Sequence, residues 1–217
     1  MRVALELFAG SGSFEKVAKQ YGYTTISSDI MHFSNIDIVG DVLELPIEIF
    51  TRYNPDLIWA SPPCTTFSIA GARFHYKNDN GTVYPYSEAA FKGIEILEKT
   101  IEIIKACNPK YFFIENPRGL MRKMPCMKEF ERATVWYCRY GDNRAKPTDI
   151  WTNNLVSLFN PDGWQPRREC FNGNEKCHHD KCPRGTNNGL GTQGLKNNFE
   201  RSKIPPLLIE EIIKSTL

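Results

Sequence analysis

The sequence has no apolar stretch approaching the roughly 20 residues that cross a bilayer, which excludes a helical membrane span. It offers no secretory leader, because Glu6 interrupts the first apolar run and no small-residue cleavage site follows. The folded domain is therefore expected to begin at once, and the chain to act in the cytoplasm. An internal repeat is missing too, which removes solenoids and propellers. So is a strong charge excess of either sign, since the net charge is only +2. Disulfides are not expected: seven cysteines are an odd number, and without a leader they belong to a reducing compartment. There thiols serve chemistry, metal binding or packing. At 217 residues the chain suits one domain with a full hydrophobic core.

What is present is unevenly spread. Residues 1–60 carry four basic and eight acidic side chains, whereas residues 116–146 carry eight basic and three acidic ones. The basic set is Arg118, Arg122, Lys123, Lys128, Arg132, Arg139, Arg144 and Lys146. Such asymmetry suits a face turned toward a polyanion, and charge alone is equally compatible with a solvated surface.

Short apolar runs alternate with helical patterns. Strands are predicted at Arg2–Phe8, Tyr23–Ser28, Ile36–Val39, Asp56–Ala60, Tyr111–Ile114, Thr134–Arg139 and Asp149–Thr152. A helix is predicted over Phe14–Tyr21. Ser87 can cap a long one whose apolar positions are Phe91, Ile94, Leu97, Ile101 and Ile104, stopped by Asn108-Pro109. This alternation implies an α/β protein with a doubly wound, mostly parallel sheet. From Phe159 to Asn198 the periodicity fades into Gly, Asn, Pro, Cys and His, an irregular insertion. A closing helix follows Ile204-Pro-Pro. The expected division is a catalytic domain over residues 1–152, a small insertion over 153–198 and a C-terminal helix over 199–217.

Three strand-end segments carry chemistry. Phe8-Ala9-Gly10-Ser11-Gly12-Ser13 follows the first strand, where glycines let the chain turn tightly beneath a ligand. Asp29 ends the second strand, where a carboxylate can accept hydrogen bonds from ribose hydroxyls. Glu15 occupies the third glycine position of the dinucleotide fingerprint, so a nucleoside cofactor other than NAD fits better. Ser61-Pro62-Pro63-Cys64-Thr65-Thr66-Phe67-Ser68 follows the fourth strand and places a cysteine on a stiff turn at the active edge. Ile114-Glu115-Asn116-Pro117-Arg118 brings a carboxylate to that edge. A strand-end thiol paired with a strand-end carboxylate suggests a nucleophile and an acid.

Phe8-Ala9-Gly10-x-Gly12, Pro63-Cys64-x-x-Phe67-Ser68-x-Ala70-Gly71 and Glu115-Asn116 together resemble the ordered motifs of the DNA cytosine-5 methyltransferases. Tyr140-Gly141 and Lys146-Pro-Thr-Asp-Ile-Trp resemble small phage and prophage members. The resemblance implies a Rossmann-like methyltransferase sheet, S-adenosylmethionine as cofactor and double-stranded DNA as partner, in a bacterial or phage-infected host cell. It implies that Cys64 adds to C6 of a flipped-out cytosine while Glu115 bonds or protonates N3. Phe8, Gly10, Gly12, Ser13 and Pro63 would line the cofactor site. Asp29 would take the ribose and Asp41 the adenine amino group, with Ile30 and Val42 beside them.

The sequence departs from the family pattern at several points. Thr65 stands where the family usually has Gln, and Pro117 where it has Val. The family's Gln-x-Arg-x-Arg run is replaced by Arg144-Ala-Lys146-Pro-Thr148, in which Arg144 and Lys146 would steady the base or its phosphate. The recognition insertion is shorter than usual. Recognition is therefore expected to be short or loose, or to need a homodimer or a partner protein. Within the insertion, Cys170, Cys177, His179 and Cys182 either complete a tetrahedral structural zinc site or form an unliganded loop. An RNA (tRNA) cytosine-5 methyltransferase, and a silent cofactor- and DNA-binding protein, are the alternatives to the DNA enzyme.

Overall fold

The computed structural model describes residues 1–171, 173–179 and 198–217. In chain order the elements are β1 (Arg2–Leu7), α1 (Ser13–Gln20), β2 (Tyr23–Asp29), β3 (Ile38–Val39), α2 (Glu48–Thr51), β4 (Leu57–Ala60) and α3 (Ile69–Ala72). They continue with β5 (Tyr76–Asp79), β6 (Thr82–Pro85), α4 (Glu88–Cys107), β7 (Tyr111–Pro117), β8 (Glu131–Trp136), β9 (Pro147–Thr152), α5 (Asn198–Ser202) and α6 (Pro206–Lys214). Seven strands form one sheet in the order β3-β2-β1-β4-β7-β9-β8. The pairs from β3 through β7 are parallel, and β9 runs antiparallel to both β7 and β8. The fold is the doubly wound, mostly parallel sheet read from the sequence. Strand order reverses between β1 and β4, so the crevice for a ligand opens at their carboxyl ends.

The parallel strands read as continuous apolar runs because both of their faces are covered. Along β1 and β4, alternate residues point to opposite faces. Ala4, Leu57 and Trp59 join a layer with Phe14 of α1 and with Leu208, Ile209, Ile212 and Ile213 of α6. Leu5, Leu7, Ile58 and Ala60 join the other layer, with Leu97, Ile101 and Ile104 of α4. The four α6 side chains are wholly buried, each stabilising the closure by about 1.5–3 kcal/mol. Ser87 caps α4 by accepting the Ala90 N–H, and Asn108 ends it in the left-handed region.

Three expectations need adjustment. Phe91 is half exposed rather than part of the buried stripe, and the inward position of that turn is taken by Ala90, which is wholly buried. The strand expected at Thr134–Arg139 ends at Trp136, and Tyr137–Tyr140 form a 3-10 turn closed by Gly141 at φ 83°. The β5–β6 hairpin was not anticipated, although its Asn80-Gly81 turn, with φ of 48° and 86°, is a typical hairpin signal. The insertion also has an anchor: Trp164 is buried edge-on against Phe113, ring centroids 6.1 Å apart.

Candidate active site

At the carboxyl ends of β1, β2 and β3 lies a cavity lined by Leu7, Phe8, Ser28, Asp29, Ile30, Gly40, Asp41, Val42, Pro63, Lys92 and Ile96. Six of the predicted cofactor residues meet there: Phe8, Asp29, Ile30, Asp41, Val42 and Pro63. Two carboxylates amid apolar walls suit the hydroxyl and amino groups of a nucleoside-bearing ligand.

Gly10 and Gly12 shape the turn rather than line the cavity. Both have positive φ, at 46° and 63°. A Cβ on Gly12 would also lie 2.9 Å from Asn35 Nδ2. Phe8 itself adopts φ 61°, a strained value for a side-chain-bearing residue. Asp29 holds this turn by accepting the Gly10 N–H at 2.9 Å and, through its other oxygen, the Met31 N–H at 2.8 Å. Its remaining lone pairs are free for hydroxyl donors. The Ser13 hydroxyl bonds Ser11 and receives the Ile204 N–H, so it ties α1 to the C-terminal segment.

Asp41 accepts the Leu43 N–H and pairs with Lys92 Nζ at 3.1 Å. These partners, the backbone N–H foremost, hold its carboxyl below the usual carboxylate range. Lys92 and Ile96 come from α4, and no motif in the sequence marks them.

Pro63 walls the cavity and Cys64 follows it directly. The Cys64 carbonyl accepts the N–H groups of Phe67 and Ser68, which closes the loop into a tight turn. The Ser68 hydroxyl then caps α3 through the Gly71 N–H. Gly71 lies so close that a Cβ there would sit 2.0 Å from the Thr65 carbonyl oxygen, which accounts for the glycine in the motif. From β7, Asn116 Nδ2 donates to the Pro62 carbonyl at 2.8 Å and locks the cysteine loop to the neighbouring strand.

Glu115, 6% exposed, points into this edge. Its Oε1 accepts the Tyr137 hydroxyl at 2.9 Å and lies 3.9 Å from Lys146 Nζ. Burial, and then the adjacent Glu115 charge, push the Tyr137 hydroxyl well above its ordinary value, so it stays a donor. Burial lowers the Lys146 ammonium, with Glu115 and Cys64 opposing that shift. Burial likewise raises the Cys64 thiol; Lys146 pulls it back down while Glu115 pushes it up. Cys64, Glu115 and Lys146 therefore form one electrostatically linked group. Sequence reading missed Tyr137, because a tyrosine after a strand end carries no signal until the fold sets it over Glu115.

Arg144 is placed differently from its expected role beside the base. It pairs with Asp142 and donates to the carbonyls of Glu200, Arg201 and Lys203, so its donors clamp the C-terminal segment. Arg122 is spent on Asp149, which is fully buried in β9 and also receives the Thr134 hydroxyl. Of the basic stretch, Lys123, Lys128 and Arg132 stay exposed.

Such a site defines a class: a Rossmann-like fold with a carboxylate-bearing cavity on one side of a cysteine loop after β4 and a buried acid on the other. Comparison with known proteins narrows it. The family model for C-5 cytosine-specific DNA methylases matches residues 3–132, and the chain belongs to that family. It is 28% identical over 219 residues to a probable DNA (cytosine-5)-methyltransferase of Frog virus 3, covering 98% of this chain and 99% of the viral protein. It is 29% identical over 126 residues to the type II methyltransferase M.HpaII of Haemophilus parainfluenzae, covering 54% of this chain and 31% of that one. Among solved structures, a putative DNA modification methyltransferase encoded within an E. coli prophage shares the fold at a TM-score of 0.53 and 14% identity, over 78% of this chain and 52% of that chain. The chain thus spans nearly all of the viral relative, but only about a third of M.HpaII and half of the prophage enzyme. Among the described residues, no helix is long and apolar enough to cross a membrane.

Proposed function

We propose that the protein methylates carbon 5 of cytosine in double-stranded DNA through a covalent adduct with Cys64. The observation that carries this reading is the adjacency of Pro63 and Cys64: one walls the cavity, and the thiol of the next feels the charges of Glu115 and Lys146. S-Adenosylmethionine, when bound there, supplies the methyl group. Asp29 and Asp41 would take its ribose and adenine groups, and Phe8, Ile30, Val42 and Pro63 its apolar faces, over the turn formed by Gly10, Gly12 and Ser13.

Cytosine C5 is a poor nucleophile. Bonding of the Cys64 sulfur to C6 moves the ring electrons toward N3, where Glu115 hydrogen-bonds or protonates the nitrogen. C5 then becomes enamine-like and accepts the methyl group. Loss of the C5 proton and departure of the Cys64 thiolate restore the aromatic ring. Tyr137 and Lys146 hold the Glu115 carboxyl in place, and Lys146 favours the thiolate form of Cys64 as the bond forms. Arg144 acts as a positioning residue through its clamp on residues 200–203. The base must leave the duplex to reach the thiol, at a cost of a few kcal/mol.

Residues 1–152 would serve as the catalytic unit, 153–198 as the recognition insertion and 199–217 as the return to the core. The shortness of the insertion supports a brief target sequence or help from a second subunit or partner. Cysteines left unpaired among the described residues, together with a viral relative, support action in the reducing cytoplasm of a host cell. The Cys/His cluster of the insertion is read as a structural zinc site.

Bisulfite sequencing of DNA from cells expressing the protein tests the activity. Protected cytosines in a fixed context, absent with Cys64→Ala, are the expected result. Unmodified DNA alongside methylated RNA cytosines would replace the DNA reading with the RNA one.

A further inference from the structure

The Cys/His insertion does not close on itself. Cys170, Cys177 and His179 converge with Cys138, a residue far upstream in the 3-10 turn after β8, and their ligand atoms all lie within 4.8 Å of one another. The fourth ligand expected from the sequence, Cys182, lies outside the described residues. We infer that Cys138, Cys170, Cys177 and His179 are the four ligands of a structural zinc ion that staples the recognition insertion to the catalytic sheet. The inference rests on the reading of this cluster as a metal site and adds its ligand set and purpose.

Four observations converge on it. The Cys170 sulfur and His179 Nδ1 are 3.8 Å apart, within a few tenths of an ångström of the sulfur–nitrogen edge of a tetrahedron with metal bonds of 2.0–2.3 Å, about 3.6 Å. His179 is only 4% exposed, its Nε2 has no hydrogen-bond partner, and its Nδ1 faces sulfur. A buried imidazole so placed is poorly satisfied without an ion. Asn174 Nδ2 donates to the Cys170 sulfur at 3.4 Å, the kind of outer hydrogen bond that steadies a metal thiolate. Cys138, Cys170 and His179 are buried and Cys177 half-buried, with Trp136 and Ala145 packed beside the sulfurs. Three thiols and one imidazole are a closed, structural donor set.

The position of Cys138 gives the ion its consequence. It directly follows Tyr137, the donor to Glu115. The insertion already crosses this turn, since Arg167 donates to the Arg139 carbonyl and its N–H to the Tyr140 hydroxyl. A zinc ion at Cys138 would fix the end of that crossing and couple the insertion to the acid side of the active site. Binding would release thiol protons to solvent, with no change of oxidation state.

Elemental analysis of the full chain, purified without chelator, should find about one zinc per chain. Cys138→Ser and His179→Ala should each lose it, whereas Cys182→Ser should keep it. S-Adenosylmethionine binding by calorimetry, retained in Cys138→Ser, would show that the variant is folded. Metal loss should also speed tryptic cleavage after Arg167, Arg168 and Lys176. Cobalt substitution of the wild type should give thiolate charge-transfer bands that weaken in a Cys177→Ser variant. Zinc-free wild type would overturn the metal reading itself, and a thiol count lower by two would identify a disulfide in its place. Zinc kept by Cys138→Ser and lost by Cys182→Ser would leave a metal but overturn this ligand set.

Discussion

The two sides of the sheet edge are built by different means. On the β1–β3 side, the residues that line the cavity are set by tight backbone turns: Asp29 holds the N–H groups of Gly10 and Met31, and Gly12 admits Asn35. On the β7–β9 side, the working parts are buried ionisable side chains that depend on one another: Glu115, Tyr137 and Lys146, braced by the Arg144 clamp. A turn built from backbone requires particular residue types at fixed spacing and so leaves a motif. A side-chain network assembled from three separate segments requires only complementary charge and reach. The first side should therefore tolerate changes on the second, and substitutions that separate binding from turnover test this.

The largest separation is expected for Cys64→Ala. Methyl transfer should fall to background, as when a covalent nucleophile is removed, with S-adenosylmethionine affinity nearly unchanged. Turnover within about tenfold of wild type would show that the sulfur is not the attacking group. Glu115→Gln comes next. It should slow turnover by at least about 10²-fold, the scale of a lost positioned acid, again with little change in cofactor affinity. A loss confined to cofactor affinity would move Glu115 to the other side of the comparison.

These two residues were legible in the sequence because each lies near the active end of a strand, Glu115 in the last residues of β7 and Cys64 just past β4, next to a proline or asparagine that fixes the loop. The cofactor side was legible for the same reason, down to Asp29 and Asp41 at successive strand ends. Lys92 was not, because a lysine on an amphipathic helix looks like any solvated one until the helix is laid over Asp41. Tyr137 and Cys138 were hidden further, inside a segment whose apolar pattern reads as strand but which turns at Tyr137. Arg144 was marked by the family pattern, yet its Asp142 partner and three carbonyl acceptors exist only after the C-terminal segment folds back. Sequence reading points to Cys182 because it favours ligands close together, whereas the site inferred above draws Cys138 from a distant strand end.

A smaller effect concerns Lys146. Its charge draws the Cys64 thiol down against the burial that raises it. Lys146→Met should therefore move the pH profile of Cys64 alkylation by iodoacetamide upward, slowing labelling at neutral pH and leaving the fully alkaline rate unchanged. An unmoved profile would mean that the two groups are screened from each other, and that the acid side is not one linked network.

The smallest effect on turnover is expected on the cofactor side, at its most deeply buried acid. Glu6 of β1 is 3% exposed and accepts the Glu15 N–H at the start of α1. Burial outweighs that hydrogen bond and pushes its carboxyl up to about 8. The folded protein thus holds a proton that the unfolded chain releases near its ordinary value of 4.5. Below pH 4.5 both states are protonated and the group costs nothing. As pH rises from 4.5 to 8 the unfolded state ionises first, so stability falls across that window, and above 8 the loss is complete. Gln keeps an acceptor for the Glu15 N–H but cannot ionise. Glu6→Gln should match the wild type in thermal unfolding near pH 4, then gain on it by up to a few kcal/mol at pH 9. Cofactor affinity at neutral pH should change little, because Glu6 lies beneath the turn and outside the cavity lining. A stability difference constant from pH 4 to 9 would show that Glu6 ionises normally, with the α1 N–H as a sufficient partner. The cofactor side would then be governed by backbone alone.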